Sequence, residues 1–326
     1  MPDNLDQLDL MILQEMEQDG RRSISDLGKK LGISRAYAGR RLQRLLDQQI
    51  TRIVSFTNPV VLGYETVALI GIQVIPSQIN EAATKLAELP NVYLVVTTAG
   101  QQDIIIWTIF QSPTELSGFL SQELGMVPGI TSTETMIVLE MRKLSFSFVT
   151  ASEIGSSQMK DEIQNFAANT EIEIDRLDVM MLKELEKDAR QPVTDLAKKL
   201  GVSRAHASSR LQRLLEKQLT RIVAFTNPFI LGYNFFVLIG IKVTPGQMNA
   251  AADRLSAVPN IFMVAKTAGR YDIVVWAVFK TPLDLSAFII KDLATISGIT
   301  STETIIALEL RKMAFMYLAS SLSRED

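Results

Sequence analysis

The chain contains the same sequence twice. Residues 31–64 and 200–233 align without a gap at an offset of 169 residues, and 24 of the 34 aligned positions are identical. The same offset relates Gly100 to Gly269 and Arg142 to Arg311. A repeat of this length is far longer than the units of solenoid proteins, which span a few tens of residues. The sequence therefore predicts two copies of one module, joined in tandem.

The composition excludes several classes of protein. Hydrophobic residues make up 47% of the 326 residues, which is typical of a folded protein with two or three domains. The absence of cysteine excludes disulfide scaffolds, thiolate metal sites and cysteine nucleophiles. The N-terminus lacks a signal-peptide pattern, and apolar runs such as residues 67–72 and 104–110 are too short to span a membrane. We therefore expect a soluble, cytoplasmic protein that does not bind membranes.

The net charge of −3 conceals a strongly basic segment in each copy. Residues 29–52 carry seven Lys or Arg against one acid, and residues 198–221 repeat this balance. Residues 60–150 carry three cations against eight carboxylates, whereas residues 229–320 are close to balance. A local basic cluster is the electrostatic signature of a nucleic-acid-binding face, so we interpret the two segments as DNA-facing.

Each basic segment lies within a pattern of three helices. Residues 6–18 carry apolar side chains at helical spacing, and Ser23 or Ser25 begins a short second helix. Ser34 caps a third helix over residues 35–48. Two helices joined by so short a turn form the helix-turn-helix arrangement.

A β-rich stretch over residues 50–58 follows the third helix, and we interpret it as a wing. The third helix presents arginines away from its apolar stripe, which is unusual for a helix that only packs. Residues 177–227 repeat the whole pattern. The sequence thus predicts winged helix-turn-helix domains at residues 1–60 and 171–229.

After Pro59 the pattern changes to the order β-α-β-β-α-β. The predicted strands cover residues 65–75, 92–98, 104–110 and 130–139, and the predicted helices cover residues 77–89 and 114–124. This order is typical of the ferredoxin-like fold, an antiparallel sheet with helices on one face. The second copy repeats it, so we predict α+β architecture with ferredoxin-like βαββαβ domains at residues 61–150 and 230–326. Residues 151–170 are predicted to be a linker.

Six short motifs recur in both copies in the same order. In the first copy they are Leu5-Asp6-Gln7-Leu8-Asp9, Leu31-Gly32-Ile33-Ser34, Arg41 with Leu45, Leu62-Gly63-Tyr64, Gly100-Gln101-Gln102-Asp103 and Gly129-Ile130-Thr131-Ser132-Thr133. With this set, the chain resembles the Lrp/AsnC family, the leucine-responsive and asparagine-operon regulators, over nearly its whole length twice. The family often has Gly before the wing strand, where this chain has Gln49 and Gln218.

The resemblance implies that the third helix of each copy enters the major groove of double-stranded DNA. Arginines retained in both copies are assigned mainly to phosphates, which carry little sequence information. Among the positions that differ between the third helices, three near the start of the helix predict that the copies recognise unequal half-sites. These are Tyr37/His206, Gly39/Ser208 and Arg40/Ser209. The predicted DNA-binding residues are Ser34, Arg35, Tyr37, Arg40, Arg41, Arg44, Arg52, Ser203, Arg204, His206, Ser208, Ser209, Arg210, Arg213 and Arg221.

The resemblance also implies a small-molecule effector, commonly an amino acid, at an interface between self-associating effector domains. Asp103 suits an ammonium group, and Thr131 and Thr133 suit a carboxylate. Gly and Asp are equally expected in a plain β-turn between two strands, so that alternative stays open. The two turns differ at Gln101/Arg270 and Gln102/Tyr271, so the sites need not be equivalent. The predicted effector-binding residues are Gly100, Gln101, Asp103, Thr131, Thr133, Gly269, Tyr271, Asp272, Thr300 and Thr302.

No metal or cofactor is predicted, because His206 is the only histidine and no thiol could join it. Sirohaem decarboxylases resemble the same two-domain arrangement, but they are expected to use histidine in the second domain, where this chain has none. A low-specificity architectural DNA-binding protein is the other alternative. The sequence favours a sequence-specific transcriptional regulator, not an enzyme, whose assembly or DNA affinity responds to a small molecule.

Overall fold

A computed structural model describes residues 5–149 and 174–314. The linker predicted over residues 151–170 lies outside the described residues. None of the described helices is both long and apolar enough to cross a membrane.

Each copy begins with three helices and a strand. In the first copy these are α1 (Gln7–Gln18), α2 (Ile24–Leu31), α3 (Arg35–Asp47) and β1 (Thr51–Thr57). In the second copy they are α6 (Arg176–Lys187), α7 (Val193–Leu200), α8 (Arg204–Glu216) and β6 (Thr220–Thr226). Ser23 begins α2 by accepting a hydrogen bond from the Asp26 amide, and Ser34 begins α3 by accepting one from the Tyr37 amide. These caps satisfy amide groups that have no partner inside the helix.

The third helix of each copy ends in a Schellman motif. The Ile50 amide donates to the Leu45 carbonyl and the Gln49 amide donates to the Leu46 carbonyl, both at 3.0 Å. This geometry places Gln49 at a φ of +54° and Gln218 at +56°, in the left-handed region that favours glycine. The backbone conformation therefore explains why the family often has Gly at these two positions.

We expect Gln49→Gly and Gln218→Gly each to raise the free energy of unfolding by about 0.5–1 kcal/mol, because Gly removes left-handed strain at some cost in unfolded-state entropy. The melting temperature of each variant measures the effect. Gln48→Gly is the matched control, because Gln48 has a φ of −80° and Gly gains nothing there. Equal changes at positions 48 and 49 would contradict the assignment of strain to Gln49.

Each ferredoxin-like domain contains four strands and two main helices. The first has β2 (Thr66–Val74), α4 (Ile79–Glu88), β3 (Val92–Ala99), β4 (Ile104–Phe110), α5 (Pro113–Gly118) and β5 (Ile130–Leu144). The second has β7 (Phe235–Val243), α9 (Met248–Ser256), β8 (Ile261–Ala268), β9 (Ile273–Phe279), α10 (Pro282–Ala287) and β10 (Ile299–Met313). The α5 helix is shorter than predicted, because irregular helical turns replace it after Gly118.

The two ferredoxin-like domains pair with each other inside one chain. Their strands form a closed sheet in the order β10-β3-β4-β2-β5-β8-β9-β7. The β5 strand continues beyond its predicted end because residues 140–144 pair with β8 of the other copy. The main helices pack on the outer face of the sheet, where two separate cores form against them.

A pseudo-twofold axis relates the two copies. Ile137 lies opposite Ala268, and Ile306 lies opposite Ala99. Ile306 is the counterpart of Ile137 and Ala268 is the counterpart of Ala99, so the two contacts are equivalent by the repeat. Such a reciprocal pattern is the signature of an isologous interface, normally found between two identical subunits. The tandem chain therefore contains its own dimer interface.

Two lysines link the copies at the ends of this interface, and Lys143 is buried whereas Lys312 is partly exposed. The Lys143 ammonium donates to the Val258 carbonyl at 2.9 Å, just beyond the end of α9. Lys312 donates to the Leu89 carbonyl at 3.0 Å, just beyond the end of α4. Cations are favourable at helix C-termini, where carbonyl groups lack partners. Each long strand is thus tied to a helix of the other copy.

The strand interpreted as a wing pairs across the same axis. β1 and β6 form a two-stranded antiparallel sheet in which Val54 lies opposite its own counterpart, Val223. Ile53 packs into the apolar core of the second helix-turn-helix domain. Each wing strand therefore joins the two DNA-binding domains to each other.

Candidate DNA-binding and effector sites

A buried carboxylate holds the third helix of the first copy against α1. The Asp9 side chain is 1% exposed and accepts hydrogen bonds from Arg44 and, at 3.0 Å, from Arg41. Arg41 also donates to Asp6 at 2.5 Å and to the Tyr37 hydroxyl at 2.7 Å. The backbone hydrogen bond from Asp9, together with Arg41, holds the pKa of Asp6 below its ordinary value. Arg41 and Arg44 therefore position the helix.

The second copy repeats this arrangement with one substitution. Arg210 bonds to Asp178 at 2.9 Å and Arg213 bonds to the same buried carboxylate. The Arg210 guanidinium donates to the Nε2 of His206 at 2.9 Å, where the first copy uses the Tyr37 hydroxyl. Hydrogen bonding from Arg210 lowers the pKa of Asp175. The divergent pair Tyr37/His206 thus supports an arginine in both copies.

The remaining predicted contacts lie on the solvent face of the third helices. Arg35 and Arg204 occupy the first helical position after the Ser34 and Ser203 caps, and both are exposed. Within the described parts of the chain, neither forms an ion pair. Arg40 is also exposed, 5.8 Å from the Tyr37 ring, and in the second copy Ser208 and Ser209 leave this part of the helix uncharged.

Arg52 and Arg221 lie on the paired wing strands and not on the third helices. The Arg52 guanidinium lies 5.2 Å from the Phe225 ring and 3.5 Å from the Met313 carbonyl, on the side of the paired strands that faces the closed sheet. Arg221 lies opposite Phe56 and lines a small cavity with Glu17. The wing strands pair between copies instead of forming a separate hairpin, and the prediction that Arg52 and Arg221 contact DNA stays a prediction.

The Gly-x-x-Asp turn of the first copy is built into the sheet. Asp103 accepts a hydrogen bond from the Val74 amide at 2.8 Å, and its own amide donates to the Ile72 carbonyl. Thr133 lies opposite Ile72 in the pairing of β5 with β2. It is therefore about 10 Å from Asp103, because two strand spacings separate them. Thr131 donates to the Gln73 carbonyl at 3.2 Å. The exposed residues Gly100 and Gln101 complete this end of the sheet.

The second turn has the same backbone bonds and an added cation. Asp272 accepts from the Val243 amide at 2.8 Å and also pairs with Lys242 at 3.2 Å. Lys242 is the counterpart of Gln73, so only the second copy neutralises its turn carboxylate in this way. Thr300 donates to the Lys242 carbonyl, and Thr302 is exposed on β10. Gly269 has a φ of +144°, which favours glycine.

The side chain two residues after each turn glycine packs over a glycine of the neighbouring strand. A Cβ added at Gly240 would lie 2.4 Å from the Tyr271 ring, and one added at Gly71 would lie 2.7 Å from Gln102. Tyr271 is buried and donates to Glu303 at 2.6 Å. The second turn is therefore closed by an aromatic ring where the first has a smaller amide.

A charged cluster joins the two copies beside these turns. Arg270 donates to Glu303 at 2.8 Å and lies 3.5 Å from Glu134 of the other copy. Burial raises the pKa of Glu303, but hydrogen bonds from Tyr271 and Arg270 outweigh it and lower the pKa overall. The Gln102 amide group also donates to Glu134 at 3.2 Å. The sequence prediction missed these carboxylates, although Gly71 and Gly240 inside strands were a signal of close packing.

The buried carboxylates Asp9 and Asp178 were also missing from the predicted sites. Their signal was present in the sequence, because each copy carries an Asp-x-x-Asp motif at the start of its first helix. The chain thus carries two helix-turn-helix domains on a pair of ferredoxin-like domains, and each third helix begins with an exposed arginine. These features define a DNA-binding regulator.

The sequence matches two family models, each of them twice. The AsnC-type helix-turn-helix domain matches residues 5–46 and 174–215, and the Lrp/AsnC ligand binding domain matches residues 67–148 and 236–316. The chain therefore belongs to the Lrp/AsnC family of transcriptional regulators, as its motifs predicted, with the DNA-binding and ligand-binding domains duplicated.

Its relatives correspond to one copy each. An uncharacterized HTH-type transcriptional regulator of Pyrococcus furiosus is 38% identical over 146 residues, which are 44% of this chain and 99% of that protein. The HTH-type transcriptional regulator Ptr1 of Methanocaldococcus jannaschii is 31% identical over 140 residues, which are 43% of this chain and 95% of Ptr1.

Solved structures of one enzyme match nearly the whole length of the chain. The sirohaem decarboxylase NirDL covers 97% of this chain and 100% of its own, with a TM-score of 0.66 and 13% identity. At this identity the likeness establishes a shared fold and carries no argument about activity.

Proposed function

We propose that this chain is a sequence-specific transcriptional regulator. One chain supplies both recognition helices, which bind the two half-sites of one operator. The proposal rests on the pairing of β1 with β6 about Val54 and Val223, which holds the two helix-turn-helix domains in a symmetric pair. In single-module regulators such a pair requires two subunits, because operator half-sites mirror the twofold symmetry of the protein.

The proposed DNA contacts fall into two groups. Arg35 and Arg204 lie at the start of the recognition helices, where side chains meet the DNA, and they have no competing ion pair within the described residues. Arg40 differs from its counterpart Ser209, and arginine reads guanine through two hydrogen bonds that serine cannot form. We therefore propose that the first copy recognises a half-site with a guanine that the second copy does not require.

Operators with two identical half-sites test this asymmetry. Footprinting on genomic fragments defines the natural site, and each of its halves is then made into a palindrome. We expect Ser209→Arg to favour one palindrome and Arg40→Ser to favour the other, each by about 1–3 kcal/mol. The same order of affinities for both variants would contradict unequal readout. Binding to every fragment with a steep salt dependence would favour an architectural role.

We also propose that a small molecule with an ammonium group, such as an amino acid, binds at the first Gly-x-x-Asp turn. Asp103 has no paired cation within the described residues, whereas Lys242 already neutralises Asp272. Gln102 also closes the first turn less fully than Tyr271 closes the second. The first turn is therefore the better acceptor for a ligand cation.

We expect Asp103→Asn to abolish amino-acid binding, because the amide keeps the hydrogen bond from Val74 but loses the charge. Asp272→Asn is the matched control and should leave binding unchanged. Calorimetric titration with a panel of L-amino acids measures both variants. Binding that survives Asp103→Asn, or is lost only in Asp272→Asn, would refute the assignment to the first turn.

A further inference from the structure

The recognition helix of the second copy carries one cation fewer than that of the first. Arg40 of α3 is exposed, and its counterpart on α8 is Ser209, which is also exposed. The only histidine of the chain, His206, lies three residues before Ser209 on the same helix. Histidine is the side chain whose charge ordinarily changes between pH 5 and 8. A proton on His206 would therefore restore the cation that α8 lacks.

The hydrogen bond between His206 and Arg210 depends on the protonation state of the imidazole. The Nε of Arg210 donates to the Nε2 of His206 at 2.9 Å. An arginine side chain has no acceptor, so this bond requires an unprotonated Nε2. His206 is exposed in the first turn of α8, at the end of the helix where recognition helices meet DNA. Protonation therefore breaks the bond at a position that faces the proposed DNA surface.

The charged groups around His206 cancel one another. An open depression of about 420 Å³ is lined by His206, by Asp175 and Asp178 at the start of α6, and by Arg210 and Arg213 of α8; its other lining residues are uncharged. Arg210 donates to Asp175 at 2.7 Å and to Asp178 at 2.9 Å, and Arg213 donates to Asp178. Two guanidinium groups thus balance two carboxylates. Protonation of His206 changes the total charge of this depression from zero to +1.

The first copy has a group at this position that cannot become a cation. The Tyr37 hydroxyl accepts hydrogen bonds from the Nη2 of Arg41 at 2.7 Å and from its Nε at 3.2 Å. A tyrosine hydroxyl carries no positive charge in either of its protonation states. The difference between Tyr37 and His206 therefore gives a proton-dependent positive charge to the second recognition helix and not to the first.

We propose that the second recognition helix takes up one proton on His206 when it binds DNA, and that the imidazolium contacts a backbone phosphate. This uptake presupposes the proposed regulator function. The phosphate attracts the imidazolium, which turns away from Arg210 because its Nε2 no longer accepts a hydrogen bond. Arg210 keeps its bonds to Asp175 and Asp178, so α8 stays anchored. Because the bound state holds more protons, the affinity for DNA rises as the pH falls through the histidine range.

His206→Tyr and Tyr37→His are reciprocal variants that test this uptake, because each copies the residue of the other half of the chain. Fluorescence anisotropy measures their affinity for the footprinted operator at pH 6 and pH 8, at constant ionic strength. We expect the unmodified chain to bind about fivefold more tightly at pH 6. His206→Tyr should change by less than about twofold between the two pH values. Tyr37→His should change by about 25-fold, because two distant sites then each take up a proton.

NMR of the chain without DNA tests the hydrogen bond separately, since one histidine gives a single set of imidazole C–H signals. We expect the Nε–H signal of Arg210, identified by its loss in Arg210→Lys, to shift with the same midpoint as the imidazole signals. In His206→Tyr the Arg210 signal should stay constant between pH 6 and pH 8. Titration of the imidazole without a shift at Arg210 would overturn the contact and with it the proposed coupling.

The two sets of measurements distinguish failure of the proton uptake from failure of the regulator function. Operator binding that does not depend on pH, or that depends on it equally in the unmodified chain and in His206→Tyr, would overturn the role of His206 alone. Failure of the unmodified chain to bind any genomic fragment at either pH would overturn the regulator function as well.

Discussion

Replacing Arg41 and Arg44 together by methionine should unfold the first helix-turn-helix domain locally. Both arginines bond to Asp9, whose side chain is 1% exposed, so the variant leaves a buried carboxylate without a cation. Breaking a buried ion pair from one side costs about 3–5 kcal/mol. Hydrogen exchange of the α1 to α3 amides measures this loss, because it reports local opening in one part of a protein.

Two further variants separate this effect from a general loss of charge. Adding Asp9→Asn to the double variant should restore much of the protection, because the stranded charge is then removed. Arg35→Met should change stability by less than about 0.5 kcal/mol, since Arg35 is exposed. If hydrogen exchange in the double variant is as slow as in the unmodified chain, Arg41 and Arg44 do not anchor α3. Their assignment as contacts to DNA phosphates would then be favoured.

Reversing the charge of a single residue, Arg35→Glu, should lower the affinity of the whole chain for its operator by about 100-fold or more. This expectation rests on the proposed regulator function and on the coupling of the two recognition helices in one unit. When one helix is repelled by the phosphates, the other binds alone and loses the advantage of a high effective concentration. Glutamate at the start of α3 is favourable for the helix dipole, so folding should be unaffected.

The matched control is Arg254→Glu on α9. Arg254 is exposed in a ferredoxin-like domain, so the net charge of the chain changes equally at a distance from the recognition helices. Fluorescence anisotropy titrations at two salt concentrations measure both variants. Arg204→Glu should match the loss seen with Arg35→Glu. A loss of only a fewfold for either variant would indicate that the two helices bind DNA independently.

Much of the local structure follows from short-range physical chemistry. The cap serines, the helix-ending glycines and the apolar spacings predicted the helices to within a few residues, because these signals act between near neighbours in the chain. The length of β5 could not be predicted in this way. Its last residues have no special strand pattern, and they are extended because β8 of the other copy lies beside them.

The same distinction holds for the sites. The arginines of the third helix were visible as a basic cluster, but their division into anchors and free side chains depends on Asp9 and Asp178, which lie 32 residues before Arg41 and Arg210. The sequence correctly predicted that the wing residues form a strand, but it did not predict that this strand pairs with its counterpart in the other copy. A strand presents the same edge to a hairpin or to another domain, so sequence alone cannot choose its partner.

The sequence by itself determined the family, the duplication, the order of elements and the basic recognition helices, because all of these are written in local patterns and in the repeat. The tertiary structure decided that the two copies pair with each other, which is a property of complementary surfaces far apart in the chain. It also decided that the Arg52 side chain lies beside the Phe225 ring and the Met313 carbonyl of the other copy. Such contacts arise from close packing, which brings together side chains that are far apart in the sequence.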